Sequence, residues 1–222
     1  MIRLGTLFSG IGAIEQALLR MNLKHSLVFA CDNGELDLKL LPSDEQNEYD
    51  NLKKITKKNI TEEESRRLYV LRQKEEEAIS KIAHYVSQLP SIHDKKTYVD
   101  NLYETHSKGE NHVKQTYLAN YDINEDDFHL DVHFLDGRDY ANRVDMMVGG
   151  SPCQSFSSNG KRGGFEDTRG TLFHEYARII SEVQPKCFIF ENVRGMLCHD
   201  NRKTWDTIKN VFRAFYVNIQ IF

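Results

Sequence analysis

The sequence, 222 residues long, has few of the features that mark secreted, membrane or metal-binding proteins. No apolar run approaches the roughly 18 residues of a membrane helix. The first residues, MIRLGTLFSG, have neither a long apolar core nor a signal cleavage pattern. The four cysteines never form a C-x-x-C pair, and the nine histidines show no ligand spacing. We therefore predict a reduced, cytoplasmic protein with no membrane partner and no metal.

A strong excess of positive charge is also missing. The formal net charge is −4, so a nucleic-acid partner has to be argued from local sites. The hydrophobic fraction of 40% and the aromatic fraction of 10% are enough for a buried core. The composition and the length fit one domain that carries an insertion.

Short apolar runs bounded by glycine, asparagine or aspartate recur along the chain and predict buried strands. They are Leu4 to Phe8, Leu27 to Cys31, Val132 to Leu135, Asp145 to Val148, Cys187 to Phe190 and Tyr216 to Phe222. Helical patterns lie between them, at 14–21, 172–180 and 205–215. The alternation predicts an α/β fold with a doubly wound, mostly parallel sheet. We read Cys31, Cys187 and Cys198 as core or near-core thiols.

The alternation breaks once, in a charged segment over residues 36–109. Thr61 and Glu64 fit a capping box, and an apolar stripe follows as far as Pro90. We predict a helix from Glu62 to about Gln88, packed against a shorter helix around Tyr98 to Tyr103. The segment is interpreted as a helical insertion.

Strand, glycine turn and helix follow one another at the start of the chain, where Gly10 and Gly12 come after the first strand. Asp32 ends the next strand, 22 residues beyond Gly10, where a carboxylate can bind ribose hydroxyls. Glu15 stands where a dinucleotide site needs its third glycine, which disfavours NAD and favours S-adenosylmethionine. A tight turn in an ordinary α/β domain is the alternative.

Three other polar residues follow predicted strands and are expected to converge at the same crevice. Asp136 would accept a hydrogen bond from an adenine amino group or simply form an Asp-Gly turn. Glu191 would be a loop anchor or an acid whose pKa is raised by desolvation. Cys153 follows the stiff Ser151-Pro152 pair and precedes a glycine-studded run, so it is either a nucleophile beside a mobile lid or a small thiol that ends a buried strand.

Four segments, in this order, resemble successive motifs of the DNA (cytosine-5)-methyltransferase family. They are Phe8-Ser9-Gly10-Ile11-Gly12, Gly150-Ser151-Pro152-Cys153-Gln154, Arg169-Gly170-Thr171-Leu172-Phe173 and Glu191-Asn192-Val193. Pro-Cys-Gln followed by Glu-Asn-Val is highly specific for that family. The resemblance covers 1–34 and about 112–222, including the helix KQTYLANY, and it implies a Rossmann-like methyltransferase fold.

By this resemblance Cys153 is the nucleophile that adds to C6 of cytosine, and Glu191 holds or protonates N3. The target base has to be flipped out of duplex DNA. The cofactor would be S-adenosylmethionine, held by Phe8, Gly10, Gly12, Asp32, Asn33, Asp136, Pro152 and Leu172. DNA contacts are assigned to Gln154, Ser157, Lys161, Arg162 and Arg169, of which the three cations suit phosphates. Methylation within a restriction-modification system is the implied role.

The sequence departs from the family in three places. Thr6 stands where the family commonly has aspartate, and Asp32 where it has glutamate. After Phe222 the family's recognition region and closing motifs are missing, so we expect a catalytic domain that is incomplete at its C-terminus, either a fragment or one chain of a split enzyme with a second chain as partner. A tRNA cytosine-5 methyltransferase and a catalytically silent cofactor or DNA-binding module remain as alternatives.

Overall fold

The computed structural model describes residues 1–55, 59–152 and 172–215. They belong to two compact units. One contains residues 1–34 and those from 111 onward, and the other contains 35–110. The second unit includes the whole segment that the sequence sets apart as an insertion.

In the described part of the first unit the strands are β1 Ile2–Leu7, β2 His25–Cys31, β3 Phe128–His129, β4 Met146–Gly149 and β5 Cys187–Phe190. Their order is β3-β2-β1-β4-β5, and every neighbouring pair is parallel. The chain runs outward from β1 to β3 and returns to the other side of β1 for β4, so the strand order reverses between β1 and β4. The predicted α/β fold with a doubly wound parallel sheet is confirmed.

The helices of the described residues are α1 Ala13–Arg20, α2 Ser43–Lys54, α3 Glu62–Ser87, α4 Ile92–His106, α5 His112–Asn120, α6 Leu172–Val183 and α7 Lys203–Arg213. Helices α1, α6 and α7 confirm the three helical patterns predicted around the sheet. None of the described helices combines the length and the apolar character that crossing a membrane would need.

Successive side chains of a strand point to opposite faces of the sheet, so a sheet with apolar residues on both faces needs a helix layer on each. On one face Leu18 of α1 packs against Leu4 and Val148. On the other face Phe188 contacts Phe212 of α7, with ring centroids 4.6 Å apart. In open α/β sheets of this kind ligands bind outside the carboxyl ends of the strands, at the point where the strand order reverses.

The third strand differs from its prediction. Residues 132–134 form a turn, and the strand is Phe128–His129 instead. The guanidinium of Arg178 in α6 donates to the carbonyls of Val132 and Leu135, at 2.7 and 3.0 Å. These carbonyls are therefore engaged by a side chain and not by a neighbouring strand. The strand predicted at 216–222 lies outside the described residues.

Asp136 consequently does not close a strand, which corrects the sequence prediction. It precedes a 3-10 helix, Gly137–Tyr140, and its side chain accepts the N–H of Arg138 at the start of that helix. The two carboxylate oxygens also accept both arms of the Arg138 guanidinium, each at 2.8 Å. Asp136 thus acts as a local cap, and the Asp-Gly turn reading fits it best.

The cysteine prediction is correct only in part. Cys31 is buried in β2, and burial raises the pKa of its thiol well above the usual range. Cys187 and Cys198 are exposed, contrary to the prediction. Cys187 is the first residue of β5, and Cys198 lies in the 3-10 helix Arg194–Arg202.

The second unit consists of α2, α3 and α4. Thr61 and Glu64 form the predicted capping box, in which each side chain binds the other residue's backbone N–H. The predicted helix from Glu62 is confirmed as α3, and its partner is confirmed as α4, with the rings of Tyr85 and Tyr98 4.9 Å apart. Near the two chain ends of this unit, the backbone N–H of Lys39 donates to the carbonyl of His106 at 2.8 Å.

Candidate functional site

The glycine turn after β1 is the most unusual backbone at the carboxyl edge of the sheet. Phe8, Gly10 and Gly12 all have positive φ, of 53°, 52° and 86°. A Cβ added to Gly10 would meet no atom of the described residues within 4 Å, so those residues leave the space beside Gly10 open. Gly12, the N-cap of α1, has no side chain to cap the helix, and the N–H groups of a first helical turn have no partner within their own helix.

Asp32 joins this turn to the loop after β2. One carboxylate oxygen accepts the N–H of Gly10 at 2.9 Å, and the other accepts the N–H of Gly34 at 2.8 Å. The amide of Asn111 donates to the Asp32 carbonyl at 2.9 Å. An ionised carboxylate has about four acceptor sites, so the half-buried Asp32 keeps capacity for ligand hydroxyls. Asn33, also predicted for the site, follows on an exposed position.

Glu15, which stands where a dinucleotide site needs its third glycine, is buried in α1. Its side chain is 1% exposed and accepts the hydroxyl of Tyr117 at 2.5 Å. The hydroxyl of Tyr121 binds the carbonyl of Gly12 at 2.7 Å. Two tyrosines, one in α5 and one just after it, therefore bind α1 and the turn that precedes it.

Asp131 is a candidate that the sequence analysis missed. It follows β3 after Leu130, and β3 adjoins β2 through the bond from the Asp32 N–H to the His129 carbonyl at 3.0 Å. Its carboxylate accepts the backbone N–H and the ring Nδ1 of His133 at 2.9 and 2.8 Å. Burial is the largest single influence on the pKa of His133 and lowers it, but the hydrogen bond to Asp131 and the charges of Asp131 and Glu175 together leave the pKa raised. The signal for Asp131 is an acid just beyond a strand. The sequence analysis misses it because the predicted strand begins at Val132, four residues after the start of β3 and already beyond Asp131.

The loops after β4 and β5 lie against each other. The N–H of Glu191 donates to the carbonyl of Gly149 at 3.0 Å, and the Asn192 amide donates to the carbonyl of buried Ser151 at 3.1 Å. A Cβ on Gly150 would stand 2.5 Å from the Glu191 carbonyl oxygen and 2.7 Å from its carboxylate Oε2. Only glycine at position 150 allows this approach.

The Glu191 side chain itself is exposed, so the described residues do not supply the desolvation expected for it. Pro152, the next residue after Ser151, is exposed as well. Leu172 begins α6 in a half-buried position, next to Phe173, whose ring packs 5.8 Å from that of Phe190. The predicted residues of the glycine turn, the β2 loop, the β4 loop and the β5 loop thus follow four strand ends at one edge of the sheet.

Six predicted site residues lie outside the described residues: Cys153, Gln154, Ser157, Lys161, Arg162 and Arg169. Within the described ranges no three His, Cys, Asp or Glu side chains are grouped as a metal site would need.

Several curated relatives share extended similarity with the chain. Type II methyltransferase M.Eco47II of Escherichia coli is 56% identical over 81 residues, which cover 36% of this chain and 19% of that protein. M1.ScrFI of Lactococcus lactis subsp. cremoris is 49% identical over 96 residues, covering 43% and 24%. M.SsoII of Shigella sonnei is 42% identical over 117 residues, covering 51% and 30%. Each match spans less than a third of the relative's length.

Among solved structures, the S. pombe Dnmt2 methyltransferase aligns with a TM-score of 0.45 and 16% identity, over 96% of this chain and 42% of that one. The likeness is too low to bear on the fold, which rests on the sheet described above. The family model for C-5 cytosine-specific DNA methylases matches residues 103–221, more than half of the chain. The chain therefore belongs to the C-5 cytosine-specific DNA methylase family.

Proposed function

We propose that this chain carries the catalytic site for methylation of cytosine C5 in duplex DNA, with S-adenosylmethionine as methyl donor. The observation that carries the proposal is the packing of Glu191 and Asn192 against Gly150 and Ser151. That packing brings the acid of one family motif to the backbone that leads into Cys153 of another. Since the relatives are named Type II methyltransferases, a role in restriction-modification is part of the proposal.

The glycine turn has the properties that a nucleoside with an amino-acid tail needs. Among the described residues the space at Gly10 is open, the N-cap residue of α1 provides no side-chain cap, and Asp32 retains acceptor capacity. We assign cofactor contacts to Phe8, Gly10, Gly12, Asp32, Asn33, Pro152 and Leu172. For the adenine amino group we propose Asp131 in place of Asp136, because the carboxylate of Asp136 is held by Arg138.

Cys153 would act on the base. The thiolate adds to C6 of cytosine, and the electron pair displaced from the C5–C6 bond makes C5 nucleophilic. A free thiol with a pKa of about 8.5 is only a few per cent thiolate at neutral pH, so the site has to favour the thiolate. When bound, S-adenosylmethionine supplies a methyl group on a sulfonium that a carbon nucleophile can take up.

Glu191 would share a proton with N3 of cytosine and so neutralise the charge that develops on the ring. After C5 carries the methyl group, loss of the C5 proton to a base restores the double bond and expels Cys153 as thiolate. C6 is out of reach inside a duplex, so the proposal includes base flipping, with phosphate contacts from Lys161, Arg162 and Arg169.

The test is covalent trapping on a duplex that contains 5-fluorocytosine, in the presence of S-adenosylmethionine. Fluorine at C5 cannot leave as a proton does, so the adduct should persist, and mass spectrometry should locate it at Cys153. Cys153→Ala should abolish trapping and methyl transfer while cofactor affinity stays within about twofold of the wild type, since the thiol contacts the base. Cys198→Ala, at an exposed cysteine, is the matched control.

An adduct on another residue, or normal turnover by Cys153→Ala, would reject the covalent mechanism. Methyl transfer to tRNA but not to duplex DNA would show that the substrate is tRNA and not duplex DNA. Binding of S-adenosylmethionine with no adduct and no transfer on either nucleic acid would favour the silent module instead.

A further inference from the structure

Tyr121, the residue that follows α5, contacts the glycine turn at Ile11 and Gly12. Its hydroxyl donates to the carbonyl of Gly12 at 2.7 Å and lies 3.3 Å from the carbonyl of Ile11. The contact leaves no room for a side chain, because a Cβ on Gly12 would stand 2.3 Å from the Tyr121 ring. The Gly12 carbonyl also accepts the first helical bond of α1, from Gln16 at 3.0 Å. One carbonyl thus receives both the helix and the tyrosine.

The backbone of the turn has an unusual conformation. Three residues with positive φ occur within five positions, and one of them, Phe8, is not glycine. A non-glycine residue in this backbone region persists only where its surroundings hold it, whereas glycine adopts the region without strain. Asp32 holds the turn at Gly10, and Tyr121 holds it at Gly12.

A neighbouring tyrosine separates this contact from ordinary core packing. Tyr117 is fully buried, and its hydroxyl binds the carboxylate of buried Glu15. Tyr121 is half-buried, and within the described residues its hydroxyl binds the backbone carbonyls of Ile11 and Gly12 in the turn. Burial, and then the charge of Glu15, raise the pKa of Tyr121, which keeps its hydroxyl protonated as a donor.

We propose that Tyr121 is a positioning residue for cofactor binding, which fixes the Gly10–Gly12 turn in the open conformation before the cofactor arrives. This rests on the proposed function, since the turn is taken as the cofactor site. Pre-organisation of this kind raises affinity by reducing the ordering that binding would otherwise require. Removing one hydroxyl should therefore weaken cofactor binding without unfolding the protein.

The experiment compares Tyr121→Phe with two matched hydroxyl deletions in the full 222-residue chain. Tyr121→Phe should raise the Kd for S-adenosylmethionine about 3- to 10-fold, the range for one lost hydrogen bond. It should also speed amide exchange over 9–16 in the free protein and leave the urea midpoint unchanged. Tyr117→Phe should lower the urea midpoint, because it leaves the buried Glu15 carboxylate without this donor. Tyr69→Phe, at an exposed residue of α3, should change none of the three.

Wild-type affinity and wild-type exchange in Tyr121→Phe would overturn the positioning role. An affinity loss accompanied by a lowered urea midpoint, as in Tyr117→Phe, would overturn it in favour of a structural role. A wild-type chain that fails to bind S-adenosylmethionine would instead refute the proposed function, and amide exchange in the free protein would still decide whether Tyr121 holds the turn.

Discussion

The carboxylate of Asp32 accepts two backbone N–H groups, those of Gly10 and Gly34, and so joins the loops that follow β1 and β2. Asp32→Ala leaves both groups without that acceptor. We expect the free energy of unfolding to fall by about 1–3 kcal/mol and the Kd for S-adenosylmethionine to rise at least about tenfold. Urea titration and calorimetric binding measure the two effects. Asp122→Ala, which removes an exposed carboxylate from the same unit, should change neither.

Gly150 tests the packing that carries the proposed function. Gly150→Ala introduces a Cβ that would overlap both the carbonyl and the carboxylate of Glu191. Overpacking of this kind typically costs about 1–3 kcal/mol, and moving Glu191 should reduce methyl transfer more than cofactor affinity. Adding Glu191→Ala removes the carboxylate contact but keeps the carbonyl contact, so the double variant should remain destabilised in urea. Full recovery of stability would show that the backbone overlap is relieved in another way.

At the scale of elements, Asp145 fastens the start of the sheet at the end opposite the candidate site. Its carboxylate binds the Arg3 guanidinium at 3.1 Å and the Lys186 ammonium at 2.8 Å, and its backbone bonds to Arg3 and Cys187. One residue before β4 therefore links β1 to the start of β5.

These bonds, first those from the Arg3 side chain and then that from Lys186, lower the pKa of Asp145 well below its usual range. A carboxylate with a lowered pKa in the folded state stabilises the fold above its unfolded pKa of about 3.9 and loses that contribution as pH falls toward the folded pKa. Asp145→Asn should therefore be less stable than the wild type at pH 7, and the difference should shrink below about pH 4. Urea unfolding at several pH values measures this, with Asp122→Asn as control. A difference that stays constant with pH would contradict the assignment.

The elements that could be predicted from the sequence are those whose signals are local. Helix α3 was located by its capping box and apolar stripe, which lie within the helix and its first turn. Strand β3 was not, because a four-residue apolar run fits a strand and a buried turn equally well. The residue that favours the turn is Arg178, which lies 46 residues beyond Val132 in the sequence and donates to the Val132 carbonyl.

The candidate site follows the same rule. Asp32 and Glu191 were identified because they come directly after strands with correctly predicted ends. Asp131 was missed with the end of β3. The contact of Tyr121 with Gly12 spans 109 residues and has no local signal at either end.

At the scale of the whole molecule, residues 35–110 form a unit whose two ends meet. The bond from the Lys39 N–H to the His106 carbonyl brings the ends of this unit together. Replacing residues 40–105 by a short glycine-serine bridge should therefore leave the sheet unit folded. We expect the Kd for S-adenosylmethionine to stay within about twofold of the full chain, measured by calorimetry. The same deletion with Asp32→Ala, which should lose affinity, checks that the assay reports on the cofactor site. Collapse of binding in the simple deletion would show that 40–105 supports the sheet.

The paired ends also bear on how the chain finds its fold. Ala30 of β2 pairs with Phe128 of β3, 98 residues later, and a closure of that length is slow. If the helical unit forms first, its joined ends shorten the effective loop to about a third, which lowers the entropic cost of closure by about 1 kcal/mol. Pulse-labelled amide exchange should then show α3 protected before β3. A segment that interrupts the sheet in sequence would in this way speed the pairing of the two strands that it separates.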